Sequence, residues 1–215
     1  MSIKSKGFAF YGGVNDVVGG TKRIINGVRV GCPIYSKWCK MFTRCHEEWY
    51  QDLHPTYKGC SICPEWMLFS SFKSWAEDMP WQGRDLDKDF LSGDSKVYSP
   101  DTCILIPQEI NKFLTIRTND RGANPLGVTH NSAYVKGQSK KPFRAQCNDY
   151  NGKRYGIGTF YSEMEAHVAY LKFKLNVLEM HMLNYTNEPL ITKGLTRIRD
   201  KILFHIENNL ELKSF

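Results

Sequence analysis

The sequence predicts an α+β protein, and three observations carry that prediction. Phe143, Ala145 and Cys147 alternate with Arg144, Gln146 and Asn148, the period-two pattern of a strand with one buried face. Ser162 and Glu165 form a capping box, and Ala166, Ala169, Tyr170, Phe173 and Val177 follow as one helical stripe. In the first half Tyr35, Trp38, Met41, Phe42 and Cys45 recur every three or four residues, which predicts an amphipathic helix.

Taken in chain order, a second helix is expected over 65–77, with Leu68, Phe69, Phe72, Trp75 and Ala76 on its buried face. Residues 83–89 read as a short strand or turn, 93–96 as a loop, and 103–107 as a short apolar strand or buried turn. The turn-rich stretch 118–125 is the expected linker. Beyond it, the 143–148 strand turns at Tyr150-Asn151-Gly152 and returns as a second strand from Lys153 to Phe160. A terminal helix over 196–212 carries Ile198, Ile202, Phe204, Ile206 and Leu210; it closes the core or forms a dimer contact, and the oligomeric state stays open. The expected domains are 1–120, 121–182 and a helical extension, 183–215.

Composition narrows the function. No run approaches the roughly 18 uninterrupted apolar residues of a membrane span, and the MSIKSKGFAF start has no apolar region after its lysines. A soluble, cytoplasmic protein with no membrane partner is expected. The chain carries a net charge of +7, and residues 121–182 hold nine basic against four acidic residues. A field concentrated in this way suits a polyphosphate, and equally a solubilising face.

Seven cysteines, an odd number, do not form a secreted disulfide framework. Cys60-Ser61-Ile62-Cys63 has the spacing with which two thiolates grip one Zn²⁺; Cys45 and Cys103 are the candidate remaining ligands of a structural site. Buried free thiols are the alternative.

The polar face of the 143–148 strand suits base edges, since Arg pairs with guanine, and Gln and Asn with adenine. On pattern alone a generic small α+β domain with solvated Arg and Gln fits as well. The run Gly127-Val128, Phe143-Arg144-Ala145-Gln146, Gly152-Lys153, Gly158-Thr159-Phe160, Glu165-Ala166 and Ala169-Tyr170 resembles the plant ethylene-response-factor DNA-binding domain. The resemblance implies a three-stranded antiparallel sheet lying in the major groove of double-stranded DNA with one helix behind it. It also implies that His130, Arg144, Gln146, Asn148, Lys153 and Arg154 face DNA; Lys140 and Lys141, close by in sequence, are expected to hold phosphate. One departure stands out: the tryptophan usual two residues before Gly-Thr-Phe is Gly156 here.

Such modules also occur in phage and bacterial proteins joined to an HNH, or His-Me finger, endonuclease. Leu86-Asp87-Lys88-Asp89, the loop 93–96, Tyr98-Ser99-Pro100-Asp101-Thr102-Cys103 and Ile110-Asn111 resemble the homing-endonuclease version of that finger. The resemblance implies that Asp87, Asp89 and Asn111 hold a catalytic Mg²⁺. The family's histidine position is occupied by Asp87 or Lys88, and no histidine lies between His54 and His130, so His46 or His54 is the candidate substitute base. Carboxylates beside a lysine also fit a plain solvated pair.

The sequence therefore predicts a degenerate, helix-rich HNH-like N-terminal half followed by a sheet packed on one helix and a C-terminal helix. The function expected is a site-selective, metal-dependent DNA nicking or cleaving endonuclease of the homing type, acting in the cytoplasm of an infected bacterial host if phage-encoded. The alternatives are a non-catalytic DNA-binding protein and an interaction protein that blocks a host factor.

Overall fold

In the computed structural model the described residues are 11–18, 21–25, 27–116 and 123–215. The chain divides into two compact units, Met1–Gln108 and Glu109–Phe215. This division falls ahead of the turn-rich stretch chosen from sequence, of which 118–122 lies outside the described residues. The fold is α+β, as expected, and no described helix is long and apolar enough to cross a membrane.

The first unit opens with an antiparallel pair, β1 (Lys22–Ile25) and β2 (Val28–Gly31). Helix α1 (Pro33–His46) starts on a proline at its first turn, where a missing N–H costs nothing. It buries Ile34, Trp38, Met41, Phe42 and Cys45, in agreement with the predicted periodicity. After the exposed short helix α2 (Glu48–Leu53) comes strand β3 (Ser61–Ile62).

The helix expected over 65–77 is interrupted. A 3₁₀ turn covers Pro64–Met67, Leu68 is extended, and α3 runs over Phe69–Glu77. The cause is a bridge to Val14, whose N–H donates to the Met67 carbonyl at 2.8 Å and whose carbonyl accepts from the Phe69 N–H at 2.9 Å. Leu68 is consequently exposed rather than part of the buried stripe.

The core of this unit is aromatic. The Trp38 indole N–H donates to the Trp66 carbonyl at 2.7 Å, and Trp38, Phe42, Trp66, Phe69 and Phe72 are each at most 1% exposed. Each such burial contributes roughly 1.5–3 kcal/mol of transfer free energy. Two further pairs frame the core: β4 (Arg84–Asp87) runs antiparallel to β6 (Ile104–Pro107), and β5 (Val97–Tyr98) runs parallel to β3.

Helix α4 (Gln108–Leu114) begins at the division. The second unit is built on a three-stranded antiparallel sheet in the order β7 (Val128–His130), β8 (Phe143–Asn148), β9 (Arg154–Phe160), with the short helix α5 (Ser132–Val135) between the first two strands. Helix α6 (Glu163–Asn184) packs on all three strands, and α7 (Pro189–Glu207) packs on α6. The capping box is formed: Ser162 Oγ accepts from the Glu165 N–H at 3.2 Å, and Glu165 Oε2 accepts from the Ser162 N–H at 3.3 Å.

Helix α7 starts earlier than expected because Pro189 can occupy its first turn, and it ends at Glu207. Its buried stripe is Ile191, Leu195, Ile198 and Ile202. Phe204 and Leu210, placed in the apolar stripe from sequence, are exposed; Leu212, in the tail, is buried instead.

Gly127 is the tightest backbone constraint in this unit. Its φ is +77°, and a β carbon there would stand 2.1 Å from the Tyr170 ring. Left-handed backbone costs about 1–2 kcal/mol for an L side chain, and overpacking about 1–3 more. Gly127→Ala is therefore expected to destabilise the protein by about 3 kcal/mol in urea unfolding.

Candidate nucleic-acid interface

The register of the sheet sorts its side chains onto two faces. Ala145 and Cys147 are buried, while Arg144 and Asn148 are exposed and Gln146 is half-buried. Arg144 faces Thr129 on one side and Thr159 on the other; Gln146 faces Gly156, and Asn148 faces Arg154. Residues directly opposite share a face, so Arg144, Gln146, Asn148 and Arg154 stand together on the side of the sheet away from α6. The opposite side carries Val128, Ala145 and Cys147, and there the Tyr155 ring stacks on Phe173 of α6 at 5.0 Å, 9° from parallel.

His130 is the exception among the residues expected to face outward. It pairs with Phe143, which pairs with Phe160, and Phe143 shares its face with Ala145 by strand alternation. The His130 ring lies 5.8 Å from that of Phe143, on the other side of the sheet from Arg144. Thr129, Thr159 and Gly156 take places on the open face that the sequence reading did not assign. The pairing register could have found the two threonines, since both align with Arg144.

The lysines lie at the margins. Lys140 is exposed; Lys141 is half-buried, with its ammonium 5.4 Å from the centre of the Tyr161 ring. Lys153 is exposed in the turn, its N–H donating to Asp149 Oδ1 at 2.8 Å. Asp149 Oδ1 also accepts from the Asn151 N–H at 3.0 Å, so this carboxylate holds the hairpin turn.

His167 ties the supports of the sheet together. Its Nδ1 lies 2.9 Å from the Leu126 carbonyl, and its Nε2 accepts from the Leu212 N–H at 3.0 Å. With Nε2 accepting, the proton sits on Nδ1 and is donated to Leu126, which makes the ring neutral. One fully buried side chain thus links the entry to β7, helix α6 and the C-terminal tail.

A groove of about 700 Å³ runs along the end of β8, lined among the described residues by Phe113, Gln146, Asn148, Tyr150, Arg154 and Lys174, with others. Lys174 is buried, donates to the Phe113 carbonyl and lies 3.5 Å from the centre of the Phe113 ring. Burial pushes its ammonium down to about 8. His181 packs between Phe113 and Tyr150, with ring centres 4.9 and 4.7 Å away, and its buried Nδ1 has no hydrogen-bond partner among the described residues.

The residues of the expected nuclease finger divide between the units. Asp87 ends β4, and its Oδ1 accepts from the N–H groups of Asp89 and Phe90, both at 2.8 Å. Lys88 is buried and donates to both carboxylate oxygens of Asp89, at 2.6 and 2.8 Å. Burial raises the Asp89 carboxyl above its ordinary range despite that pairing. Asn111 lies in α4, within the second unit. Of the two candidate bases, His46 stacks on Tyr11 at 4.6 Å and burial lowers its pKa, whereas His54 packs on Tyr50 at 4.6 Å and lies 6.3 Å from Tyr57. Tyr57 in turn interacts electrostatically with Asp87 and Asp89.

Of the four expected zinc ligands, Cys45 lies within electrostatic range of Cys60 and Cys103. Lys88 acts on all three thiols. Cys63 instead engages Glu65. Burial pushes the Cys45 and Cys103 thiols up to about 12, which favours the protonated form. Among the described residues no three Cys, His, Asp or Glu side chains are arranged to hold a metal ion.

Comparison of the chain with protein-family models, with curated proteins and with solved structures gives no match.

The environment of His181 makes stability depend on pH. Burial lowers its folded pKa, Glu109 opposes that shift, and Lys174 adds to it. The neutral ring is thus favoured in the folded state. The stabilisation is present above the unfolded value of roughly 6.5 and is lost as pH falls through it toward the lower folded value. Urea unfolding between about pH 7.5 and 5 is expected to show wild type losing stability more steeply than His181→Phe.

Proposed function

We propose that this protein binds double-stranded DNA on the open face of the β7–β8–β9 sheet. The observation that carries the reading is the shared exposed face of Arg144, Gln146, Asn148 and Arg154, with α6 covering the opposite side. Arg144 is suited to a bidentate pair with guanine O6 and N7, and Gln146 and Asn148 to adenine N6 and N7. Lys140, Lys141 and Lys153, at the ends of the strands, supply phosphate contacts that fix the register. The basic excess of this segment adds a sequence-independent, salt-sensitive attraction.

A second reading adds metal-dependent nicking of the bound duplex. It is supported by the order strand β4, loop, strand β6, helix α4, with Asp87 closing the first strand and Asn111 on the helix. In this reading Asp87, Asp89 and Asn111 would hold Mg²⁺, which would stabilise the leaving oxygen, and His46 or His54 would serve as the base. Structural zinc at Cys45, Cys60, Cys63 and Cys103 is a separate proposal, supported by the neighbouring thiols of Cys45, Cys60 and Cys103; elemental analysis tests it.

Two outcomes are expected. Arg144→Ala should cost roughly 1–3 kcal/mol on a selected site and little on random duplex, while Lys140→Ala should weaken both alike and reduce the salt slope by about 1. A gel-shift titration at several salt concentrations measures both. For nicking, Asp89→Asn is the informative variant, because Asp89→Ala would strand the buried Lys88 ammonium. Supercoiled plasmid incubated with Mg²⁺ should be nicked slowly by wild type and not by Asp89→Asn, with DNA affinity equal in the two.

A further inference from the structure

The ladder between β8 and β9 slips between Ala145 and Gln146. Ala145 pairs with Gly158, yet Gln146 pairs with Gly156, so Ile157 is an extra residue on β9. In an unbroken ladder Gln146 would face Ile157, and Gly156 would share the helix side with Cys147. The bulge instead brings Gly156 to the open face. There it lies under Arg144: a β carbon on Gly156 would stand 3.1 Å from Arg144 Nη2 and 3.9 Å from Cζ and Nε. The guanidinium therefore rests across bare backbone, beside the side chain of Gln146.

A glycine inside a strand weakens it and commonly marks a close approach of another group. Here the approaching group is the side chain with the most demanding geometry on this face. A guanidinium reads guanine only when its planar fork meets O6 and N7 together. Its height above the sheet and its direction then decide which base pair it reaches. At 3.1 Å an added methyl requires Nη2 to give by a few tenths of an ångström, and a larger side chain requires the guanidinium to move further.

We propose that Gly156 is a specificity-determining position that acts through Arg144, by leaving the recess in which the guanidinium lies when it meets a base edge. The proposal rests on the reading of this face as a DNA-binding surface. Gly156 itself donates no contact to a base; it positions the residue that does.

The test is a double-mutant cycle on the full chain, using a duplex selected from random sequence by the wild-type protein and a random duplex as control. Gly156→Ala and Gly156→Leu should lower affinity for the selected duplex, with Gly156→Leu losing about tenfold or more, and both should leave random-duplex affinity within about twofold. In the Arg144→Ala background the same changes should have no further effect on the selected duplex, because the group they displace is gone. Thermal unfolding of each variant reports the fold separately, and Gly156→Ala supplies the reading if Gly156→Leu is destabilised. Losses that multiply in the double variants, or a Gly156→Leu protein with wild-type preference, overturn the proposal while leaving DNA binding in place. A wild-type protein that selects no duplex at all overturns the DNA-binding reading beneath it.

Discussion

Helix α6 is covered on two sides, by the sheet on one and by α7 on another, and the second unit depends on that double burial. Ala166, Tyr170, Leu171, Val177 and Leu178 are all buried along it, so its apolar face is broad. A face of this width needs cover from more than one neighbour. Three short strands supply part of the cover with Val128, Ala145 and Cys147, and within the second unit no described helix packs on their other face. Polar side chains are the stable occupants of that face in water. The open row of Arg144, Gln146, Asn148 and Arg154 thus follows from how the core is closed. The close approach at Gly127 and Tyr170, and the neutral His167 held between Leu126 and Leu212, keep helix and sheet in that relation.

Much of this was legible in the sequence because local signals agreed with the tertiary outcome. Alternation from Phe143 to Asn148 needs only that one side of the strand be buried, and the Ser162–Glu165 box needs only its own turn. Features that depend on distant partners were not legible. Leu68 looks helical by spacing, yet Val14 recruits its neighbours into a bridge and turns it outward. His130 sits in a segment rich in polar residues, but its face is decided by pairing with Phe143, a partner thirteen residues on by number. The bulge that lifts Gly156 to the open face leaves no mark in hydrophobic period, because Gly156, Ile157 and Gly158 offer too little side chain to alternate. Leu210 fits an apolar stripe only if the last helix continues past Glu207, where it ends, and Phe204, two residues after the buried Ile202, stands on a different face of the helix.

The first unit presents a different balance. Its aromatic core is extensive, while Lys88 pairs with Asp89, lies over the Tyr57 ring and interacts electrostatically with three thiols. Removing one partner of a buried pair is far more damaging than replacing both, so Lys88 and Asp89 form a structural couple whatever chemistry they support. Arg44 adds a second, half-buried cation, donating to the Leu86 carbonyl at 3.2 Å and lying 5.3 Å from the centre of the Tyr57 ring. These contacts anchor the end of β4, and with it the position of Asp87. The Asp87 carboxylate is held by the Asp89 and Phe90 N–H groups, and that of Asp89 by Lys88.

The central claim concerns which face of the second unit meets DNA, and mapping backbone amide shifts during titration with a short duplex tests it most directly. The account predicts the largest changes at Arg144, Gln146, Asn148, Arg154 and the facing Thr129 and Thr159, with the outer surface of α7 unaffected. Changes concentrated on α7, or confined to the first unit, would contradict it.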